Sequence, residues 1–397
     1  IEGRHGNRPE AAGRRRRHNV KTMAAVTYGI DEKNPFTVKE IELDDPKDDE
    51  VMVHLVAAGL CHSDWNFVSG AQRIGRWPMV LGHEGAGVVE KVGRKVTKVK
   101  PGDHVVLSYI PTCGKCEWCL MGKSRLCNDG ADILNGPQPD KTFRMHDDDG
   151  TDVGQACYLS TFSEYSVVPQ MSVIKVFDHY ALDRAALQAC GVGAGAGAAM
   201  YVGDVKPGAS VADFGVGGVG MNTVQGCRIK GAREIVAVDV HEWKLEEAKK
   251  FGATHTVNAA EEDPVEFIKE LTWGRGADTT FEVIGKEEVM AQAVQATCKT
   301  GTAVLVGLNH YKSMSMDIDP TMMVLFERNF QGSMYGGAVP HVAIPYFLRM
   351  WDDGLLNLDD LVTKEYRIED IAQGYQDQHD GKLTRGIIRY DWDYTAK

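Results

Sequence analysis

The chain has 397 residues, of which 43% are hydrophobic and 25% charged, so it is long enough to form two packed domains. Its formal net charge of −12 argues against nucleic acid or an anionic membrane as the main partner, because both require a basic surface. No apolar run reaches the roughly 18 residues of a membrane-spanning helix, and no signal-peptide pattern opens the chain. We therefore expect a cytoplasmic protein.

The first 22 residues form a polar stretch without hydrophobic periodicity. Residues 1–5, IEGRH, resemble a protease-cleavage linker from an expression vector. The basic cluster GRRRRH at 13–18 is interpreted as part of a disordered leader, with a nucleic-acid or membrane tether as the alternative. The first domain is expected to begin near Met23.

Residues 23–190 are predicted to form an antiparallel β-rich domain, because short apolar runs broken by Gly and Pro follow one another closely: VMVHLVAAG, GAGVVEKVG and FSEYSVVP. Residues 191–334 instead alternate strand-like runs such as REIVAVDV and ADTTFEVIG with helical segments such as HEWKLEEAKKFG. This alternation predicts a doubly wound parallel sheet and an α/β protein. Residues 335–397 carry a helix and a final strand, TRGIIRY, which we expect to return to the first domain.

Four of the nine cysteines crowd into CGKCEWCLMGKSRLC, residues 113–127. The spacing C-x2-C-x2-C-x7-C allows thiolates to converge on one tetrahedral ion, and four sulfur ligands leave no open position. The pattern predicts a structural zinc; an iron–sulfur cluster or a group of free thiols are the alternatives. The four ligands are Cys113, Cys116, Cys119 and Cys127.

The segment SVADFGVGGVGMNTVQGC, residues 210–227, places four glycines directly after an apolar strand and at the start of a helix. Glycines there let the backbone approach a pyrophosphate, which the helix N-terminus attracts. The next strand ends at Asp239, about 20 residues beyond the motif, as a dinucleotide-binding unit requires. A carboxylate at that position binds ribose hydroxyls and repels a 2′-phosphate, which predicts NAD rather than NADP. The four glycines are Gly215, Gly217, Gly218 and Gly220.

Two further segments complete a family pattern: GLCHSDWNF at 59–67 and GHEGAGVVEKVGRKV at 82–96. Together with the cysteine cluster they resemble the zinc-dependent medium-chain alcohol dehydrogenases, and the resemblance extends over about residues 23–389. STFSEYSVV and LTWGRGAD resemble most closely the actinobacterial branch that includes nicotinoprotein alcohol dehydrogenases, whose NAD stays bound through turnover. The resemblance implies a GroES-like, β-rich catalytic domain and a Rossmann cofactor domain.

The resemblance also implies a catalytic zinc held by Cys61, His83 and Cys190, with the fourth position open to water or alcohol. Asp64 would orient His83, and Glu84 would lie behind the metal. Ser63 would take the alcohol proton. Considered singly, each residue has a structural explanation; the ordered set favours zinc.

Further cofactor contacts are implied by the resemblance. His62 and Arg385 match phosphate contacts, and Lys244 matches a ribose-binding lysine, although a solvated helix lysine is an equal alternative for Lys244. Val219 and Val306 complete the implied cofactor-binding set.

The implied substrate pocket departs from the commonest pattern of the family. Tyr109 would form an aromatic wall, and the small Gly193 and Ala194 would widen the pocket toward a large or aromatic alcohol, unless other side chains fill the gap. Asn66 stands where many relatives have a proton-relay histidine, so the final proton acceptor is not identified.

We therefore predict an NAD-dependent zinc alcohol dehydrogenase with two zinc ions per chain. It would transfer hydride reversibly between NAD and a zinc-held primary or secondary alcohol, giving an aldehyde or ketone. The first alternative is a nicotinoprotein alcohol:acceptor oxidoreductase, and the remote one a non-enzymatic structural protein on the same fold. The segment between Cys127 and Thr161 is long, as in the dimeric branch of the family that the chain resembles, and this resemblance implies a homodimer; we expect neither nucleic acid nor membrane as a partner.

Overall fold

The structure, a computed structural model, describes residues 20–394. The predicted vector remnant at 1–5 and the basic cluster at 13–18 lie outside the described residues. The leader was expected to extend to residue 22, and this boundary is wrong: the first strand begins at Val20, because residues 20–22 pair with a neighbouring strand, Val20 opposite Leu43 and Thr22 opposite Ile41.

The described part of the chain forms eighteen strands and eleven α-helices. The strands are β1 (Val20–Thr27), β2 (Thr37–Leu43), β3 (Glu50–Gly59), β4 (Met79–Val80), β5 (Gly85–Val92), β6 (His104–Leu107), β7 (Met145–His146), β8 (Asp152–Gln155), β9 (Tyr165–Pro169), β10 (Val173–Lys175), β11 (Ser210–Phe214), β12 (Glu234–Asp239), β13 (His255–Asn258), β14 (Ala277–Glu282), β15 (Thr297–Leu305), β16 (Asn329–Gly332), β17 (Val362–Tyr366) and β18 (Arg385–Arg389). The helices are α1 (His62–Val68), α2 (Glu117–Leu120), α3 (Leu182–Ala185), α4 (Gly191–Gly197), α5 (Gly220–Ile229), α6 (Glu242–Phe251), α7 (Pro264–Leu271), α8 (Glu287–Ala296), α9 (Pro320–Leu325), α10 (Pro340–Asp352) and α11 (Ile371–His379).

Two sheets build the β-rich part of the molecule. Strands β1, β2, β7, β8 and β4 close a barrel, and a second sheet runs in the order β10-β6-β5-β3-β18-β17, with β9 also paired to β3. The last strand, β18, pairs antiparallel with the end of β3, Ile387 opposite Gly59. The C-terminal segment therefore shares a sheet with the strand that leads into Cys61.

The second part is one parallel sheet in the order β13-β12-β11-β14-β15-β16. Every residue of the central strand β11 is buried, as expected where helices cover both faces of a parallel sheet. Helix α7 begins with an Asp263 cap, whose side chain accepts hydrogen bonds from the backbone N–H groups of Val265 and Glu266. Since β12, β11, β14 and β15 are parallel, their carboxyl ends and the loops that follow meet at one edge of the sheet.

The two parts meet where α4 packs against α5. Gly195 permits this contact, since a methyl group there would lie 2.2 Å from the carbonyl oxygen of Val219. Helix α4 continues as a π-helical turn, Ala198–Val202. Cys190 is thereby placed at the junction of the two parts.

Among residues 20–394, no single helix has the length and apolar character of a membrane span. Two helical segments joined at a bend, Leu182–Ala189 and Gly191–Val202, are together long and apolar enough for a membrane span, by length and composition only.

Candidate active site

Three chain segments bring the predicted catalytic ligands together. Cys61 directly precedes α1, and Cys190 directly precedes α4. His83 lies just before β5, whose first residue pairs with Ala58 of β3, so the end of β3 and the start of β5 are adjacent. The result is a buried group in which one ligand atom from each residue lies within 4.8 Å of all the others: Cys61, His83, Glu84 and Cys190.

The two cysteines of this group are linked by a hydrogen bond. A hydrogen bond from the Cys190 thiol, opposed by burial, holds the pKa of Cys61 well below its ordinary value. The same hydrogen bond, together with burial, raises the pKa of Cys190. The hydrogen bond between the two thiols thus favours ionisation of Cys61, and thiolates are the form that binds zinc.

Asp64 fixes His83 from the side opposite the cysteines. Its Oδ2 atom lies 2.8 Å from Nδ1 of His83, and its Oδ1 atom accepts a hydrogen bond of 2.9 Å from the backbone N–H of Gly82. Burial disfavours a charged His83, but Asp64 and the two cysteines outweigh it and raise the pKa of the imidazole. This leaves Nε2 of His83 as the nitrogen for a metal.

Glu84 links this group to Arg385 of β18. The Glu84 Oε2 atom pairs with Nη2 of Arg385, whereas Oε1 is buried and has no hydrogen-bond partner within residues 20–394. Burial raises the pKa of Glu84 to about 7, against the opposing charge of Arg385. One carboxylate oxygen of Glu84 belongs to the same close group as the three predicted ligands.

This donor set fits zinc. Two cysteines and one imidazole are a known ligand combination for a catalytic zinc that keeps one position open. Cys61, His83 and Cys190 would hold the ion, and Glu84 lies beside them.

The four-cysteine cluster fits a closed zinc site. A tetrahedral ion with Zn–S distances of about 2.3 Å requires sulfur atoms about 3.8 Å apart. The Sγ atoms of Cys113 and Cys119 are 3.9 Å apart, as are those of Cys116 and Cys127. Two of the six sulfur pairs therefore already have tetrahedral spacing, and all four sulfur atoms lie within 4.8 Å of one another.

The glycine-rich loop lies between β11 and α5 at the carboxyl edge of the parallel sheet. Gly215 has a φ of 105°, a left-handed conformation that favours glycine, and Gly217 leaves open space where a side chain would lie. Gly220 begins α5, with Val219 as its N-cap. The loop therefore presents backbone to open space at a helix N-terminus, which suits a pyrophosphate.

Arg385 connects this loop to the catalytic group. A methyl group on Gly218 would lie only 1.9 Å from Cδ of Arg385, so the two residues are in contact. The arginine is 4% exposed, and its Nε atom has no hydrogen-bond partner in the part of the chain that the structure describes. An unpartnered Nε–H on a buried arginine beside the glycine-rich loop fits the predicted pyrophosphate contact.

Asp239 ends β12 beside the same loop. Its carboxylate accepts hydrogen bonds from the backbone N–H groups of Val216, at 3.0 Å, and of Val240, at 2.8 Å. Both contacts hold the carboxylate at the edge of the sheet. Lys244 is placed over the Trp243 ring, with Nζ 5.8 Å from its centroid.

The remaining predicted cofactor residues border this region. Val306 follows β15, and its N–H donates to the carbonyl of Glu282 at 2.8 Å. His62 is an exposed residue of the first turn of α1, and its ring centroid lies 5.8 Å from that of His379.

The predicted substrate wall lies over the catalytic histidine. The Tyr109 ring is edge-on to His83, with centroids 5.4 Å apart, and edge-on to Tyr335, at 5.9 Å. Ala194 is buried one turn into α4. Gly193 was expected to widen the pocket unless other side chains fill the gap, and at Gly193 Tyr335 fills it: a methyl group on Gly193 would lie 2.5 Å from the tyrosine Cζ.

Comparison with known proteins agrees with this geometry. Residues 47–178 match the alcohol dehydrogenase GroES-like domain model, and residues 218–351 match the zinc-binding dehydrogenase model. The NDMA-dependent alcohol dehydrogenase of Amycolatopsis methanolica is 44% identical over 376 residues, covering 94% of this chain and 100% of the relative. The chain belongs to the zinc-dependent medium-chain alcohol dehydrogenase family.

Solved structures of the family are similar throughout their length. A zinc-binding-domain alcohol dehydrogenase protein from Burkholderia ambifaria has a TM-score of 0.88 and 33% identity, covering 94% of this chain and 100% of the other. Benzyl alcohol dehydrogenase from Acinetobacter calcoaceticus has a TM-score of 0.87 and 30% identity, with the same coverage. These matches confirm the predicted GroES-like plus Rossmann fold class, the alcohol dehydrogenase class, and zinc and a nicotinamide nucleotide as cofactors.

In this dehydrogenase, the predicted proton-handling residues both lie on α1. Ser63 is partly exposed in the first turn of the helix, two residues after Cys61, whereas Asn66 is buried one turn further on. Nothing in an amide side chain titrates near neutral pH, so the position of Asn66 does not complete a relay.

The sequence analysis did not identify two residues that lie near Tyr109 and His83. Tyr335 is 2% exposed, and its hydroxyl donates to the carbonyl of Gln188 at 2.6 Å. Cys157 is buried with a φ of 57°, and burial, opposed by the charge of His83, raises its pKa to about 12. Neither residue belongs to a local motif, so no signal in the sequence pointed to the site.

Proposed function

We propose that this dehydrogenase oxidises a primary or secondary alcohol with NAD, reversibly, to an aldehyde or ketone. One observation carries the proposal: Arg385 contacts both the metal-ligand group, through Glu84, and the glycine-rich loop, at Gly218. A single side chain thus joins the predicted metal site to the predicted dinucleotide site. Hydride transfer requires the two sites to be adjacent.

When bound, zinc would supply Lewis-acid polarisation of the alcohol oxygen. The chain supplies the rest of the arrangement. Cys61, His83 and Cys190 would hold the ion, Asp64 orients His83, and Ser63 is the hydroxyl we assign to accept the alcohol proton. Arg385 would bind the pyrophosphate at the N-terminus of α5, and Asp239 the adenosine ribose.

We propose two zinc ions per chain and NAD as the nucleotide. The spacing of the four sulfur atoms in the cysteine cluster supports the second, structural ion. The Asp239 carboxylate supports NAD, because a 2′-phosphate beside it would be repelled.

A large or aromatic alcohol remains our proposed substrate, for a reason other than Gly193. A cavity of about 480 Å³, lined mainly by apolar side chains, lies beside the cysteine cluster, with Trp118 and Cys127 in its wall. Ile110 in its wall follows Tyr109, and Ile133 accepts a hydrogen bond of 2.6 Å from the N–H of Cys157. Its volume and lining suit a small-molecule site, and a structural relative is named a benzyl alcohol dehydrogenase.

A nicotinoprotein alcohol:acceptor oxidoreductase is the second candidate. The observation that favours it is the 44% identity to an alcohol dehydrogenase described as NDMA-dependent. The remote alternative, a non-enzymatic structural protein, has no need of an intact open metal site together with Ser63.

We propose a homodimer that pairs through the edge of the parallel sheet. All four residues of the edge strand β16 are exposed, and the neighbouring α9 has no buried residue; Val324 on α9 is 75% exposed. An unpaired edge strand beside exposed apolar side chains is suited to pairing with a second copy. Val324→Asp should therefore shift the molar mass in light scattering from dimer to monomer.

We also propose domain boundaries and a location. The catalytic domain would begin with β1 at Val20 and comprise residues 20–190 and 335–397, and the cofactor domain 191–334; the pairing of β18 with β3 supports this division. None of the nine cysteines, all of which lie within residues 20–394, forms a disulfide, and this favours a cytoplasmic enzyme.

The decisive experiment is a panel of alcohols from ethanol to benzyl alcohol and larger aromatic alcohols. Each is assayed with added NAD, and separately with an artificial electron acceptor and no added NAD. We expect NADH formation, fastest with aromatic alcohols, and Trp118→Ala in the cavity wall should change their KM more than that of ethanol. Turnover with the acceptor alone, with absorbance near 340 nm in reduced protein as purified, would instead establish the nicotinoprotein. Inactivity in both assays would refute both candidates.

A further inference from the structure

We infer that two contacts across the domain cleft, one on each side of the glycine-rich loop, set the rate at which the dinucleotide leaves. The first, which we call the adenosine-side clasp, joins residues 241–243 to Gly381. The second, the α1-side clasp, joins residues 71–73 to residues 309–311. The inference rests on the proposed function only in taking the cofactor to be NAD.

The adenosine-side clasp starts two residues after Asp239. The indole Nε1 of Trp243 donates a hydrogen bond of 2.9 Å to the carbonyl of Gly381, and the His241 ring lies against Gly381, where a methyl group would come within 2.5 Å of Nε2. Gly381 belongs to the turn between α11 and β18, and β18 is a strand of the second sheet in the β-rich part. The contact therefore joins the cofactor domain to the catalytic domain.

The α1-side clasp follows the helix that carries Ser63. The amide nitrogen of Gln72 donates to the carbonyl of Asn309 at 2.5 Å, and the N–H of Tyr311 donates to the carbonyl of Ala71 at 2.9 Å. The guanidinium of Arg73 lies over the Tyr311 ring, 4.4 Å from its centroid. Two hydrogen bonds and a cation–π contact thus join the two domains on the α1 side of the glycine-rich loop.

The order of the sheet shows what the two clasps enclose. Residues 241–243 follow β12 and residues 309–311 follow β15, while the glycine-rich loop follows β11, which lies between them in the order β12-β11-β14-β15. A dinucleotide bound at the carboxyl ends of these strands would lie between the two clasps. If the two domains must separate before it leaves, both clasps must open.

None of the clasp residues belongs to the predicted zinc ligands or to the proton path. Trp243 and Gln72 are therefore positioning residues: they act on the cofactor by holding the domains together. Removing one clasp should speed release and leave the hydride-transfer step unchanged.

The test measures the release of NADH from the intact zinc-loaded protein. Bound NADH is displaced by excess NAD, and its fluorescence is followed in a stopped-flow instrument. The variants are Trp243→Phe, which keeps an aromatic ring but removes the N–H donor, Gln72→Ala, and the double variant. The matched control is Trp273→Phe, because Trp273 is 97% exposed at the end of α7 and makes neither contact.

Each single variant should release NADH about fivefold faster, the effect of one neutral hydrogen bond. The double variant should show roughly the product, about 25-fold, because both clasps open in one step. NADH association and single-turnover hydride transfer should remain at the wild-type values, and Trp273→Phe should match wild type throughout. Unchanged release in both single variants and in the double variant would overturn the inference, as would a wild type that binds no NADH.

The experiment separates this inference from the proposed function. Faster release of NADH in the variants of a protein that oxidises no alcohol would support the clasps and refute the proposed activity. Normal alcohol oxidation with unchanged NADH release in the variants would support the proposed activity and refute the role of the clasps.

Discussion

Asp213, the fourth residue of β11, is a buried carboxylic acid just ahead of the glycine-rich loop. It is 1% exposed, and neither of its oxygens has a hydrogen-bond partner within residues 20–394. Burial, and after it the charges of Glu282 and Asp239, raise its pKa well above the ordinary value. The folded protein therefore holds a proton at Asp213 that the unfolded chain releases.

The sign and size of the effect on stability follow from this difference in bound protons. Above the unfolded-state pKa of about 3.9, the unfolded chain binds fewer protons at this position than the folded protein does. The contribution of Asp213 to the free energy of unfolding is therefore fully present below that pKa. It falls by at most about 1.4 kcal/mol per pH unit as the pH rises toward the raised folded pKa.

Asp213→Asn removes the titration while keeping the shape of the side chain. We expect the stability difference, Asn minus Asp, to grow between pH 5 and pH 7 by up to about 1.4 kcal/mol per unit, measured by urea unfolding at each pH. Asp278→Asn is the matched control: the hydrogen bond from Arg275 lowers the pKa of Asp278, so it is ionised throughout and its difference should stay constant. Parallel pH profiles for wild type and Asp213→Asn would refute the reasoning.

Three further predictions concern the metal, the nucleotide and the proton. Intact protein should contain two zinc ions per chain by metal analysis; Cys61→Ser should lose one ion and nearly all activity while staying folded, whereas Cys116→Ser should lower stability, because structural zinc binding is folding free energy. Asp239→Gly should narrow or reverse a strong wild-type preference for NAD, since a 2′-phosphate carries a charge of about −1.5 to −2 at neutral pH; equal kcat/KM of the wild type with NAD and NADP would contradict the assignment. Asn66→His should introduce an inflection near pH 6.5 into single-turnover hydride transfer, and Ser63→Ala should slow it more than any change at Asn66, by about 10²–10⁴-fold; a clear inflection already present in the wild type would show that another residue completes the relay.

The order of the elements could be predicted from the sequence because periodicity and turn residues are local. VMVHLVAAG forms most of β3, REIVAVDV contains β12, and HEWKLEEAKKFG contains α6. The cysteine cluster was equally predictable, since ligands separated by two residues lie close together in any compact turn. The sequence also indicated Cys61, His83 and Cys190 through their resemblance to a family.

Other features depended on residues that are distant in the chain. Tyr335 fills the space beside Gly193, which the sequence had suggested would be open. Asp213 lacks a partner because no donor from the surrounding elements reaches it, although an Asp in an apolar strand gave no indication of that. Packing between side chains decides both, and packing is not encoded in any short stretch.

The amino-acid sequence by itself therefore predicted which residues would bind metal and which loop would bind a dinucleotide, because residue type and short spacing indicate both. Only the tertiary structure decided how they are joined. The contact of Arg385 with Glu84 and Gly218, and the hydrogen bond from Trp243 to the Gly381 carbonyl, bring together residues that are far apart in the chain. Such contacts form only after two sheets and the helices between them have fixed the distance across the cleft.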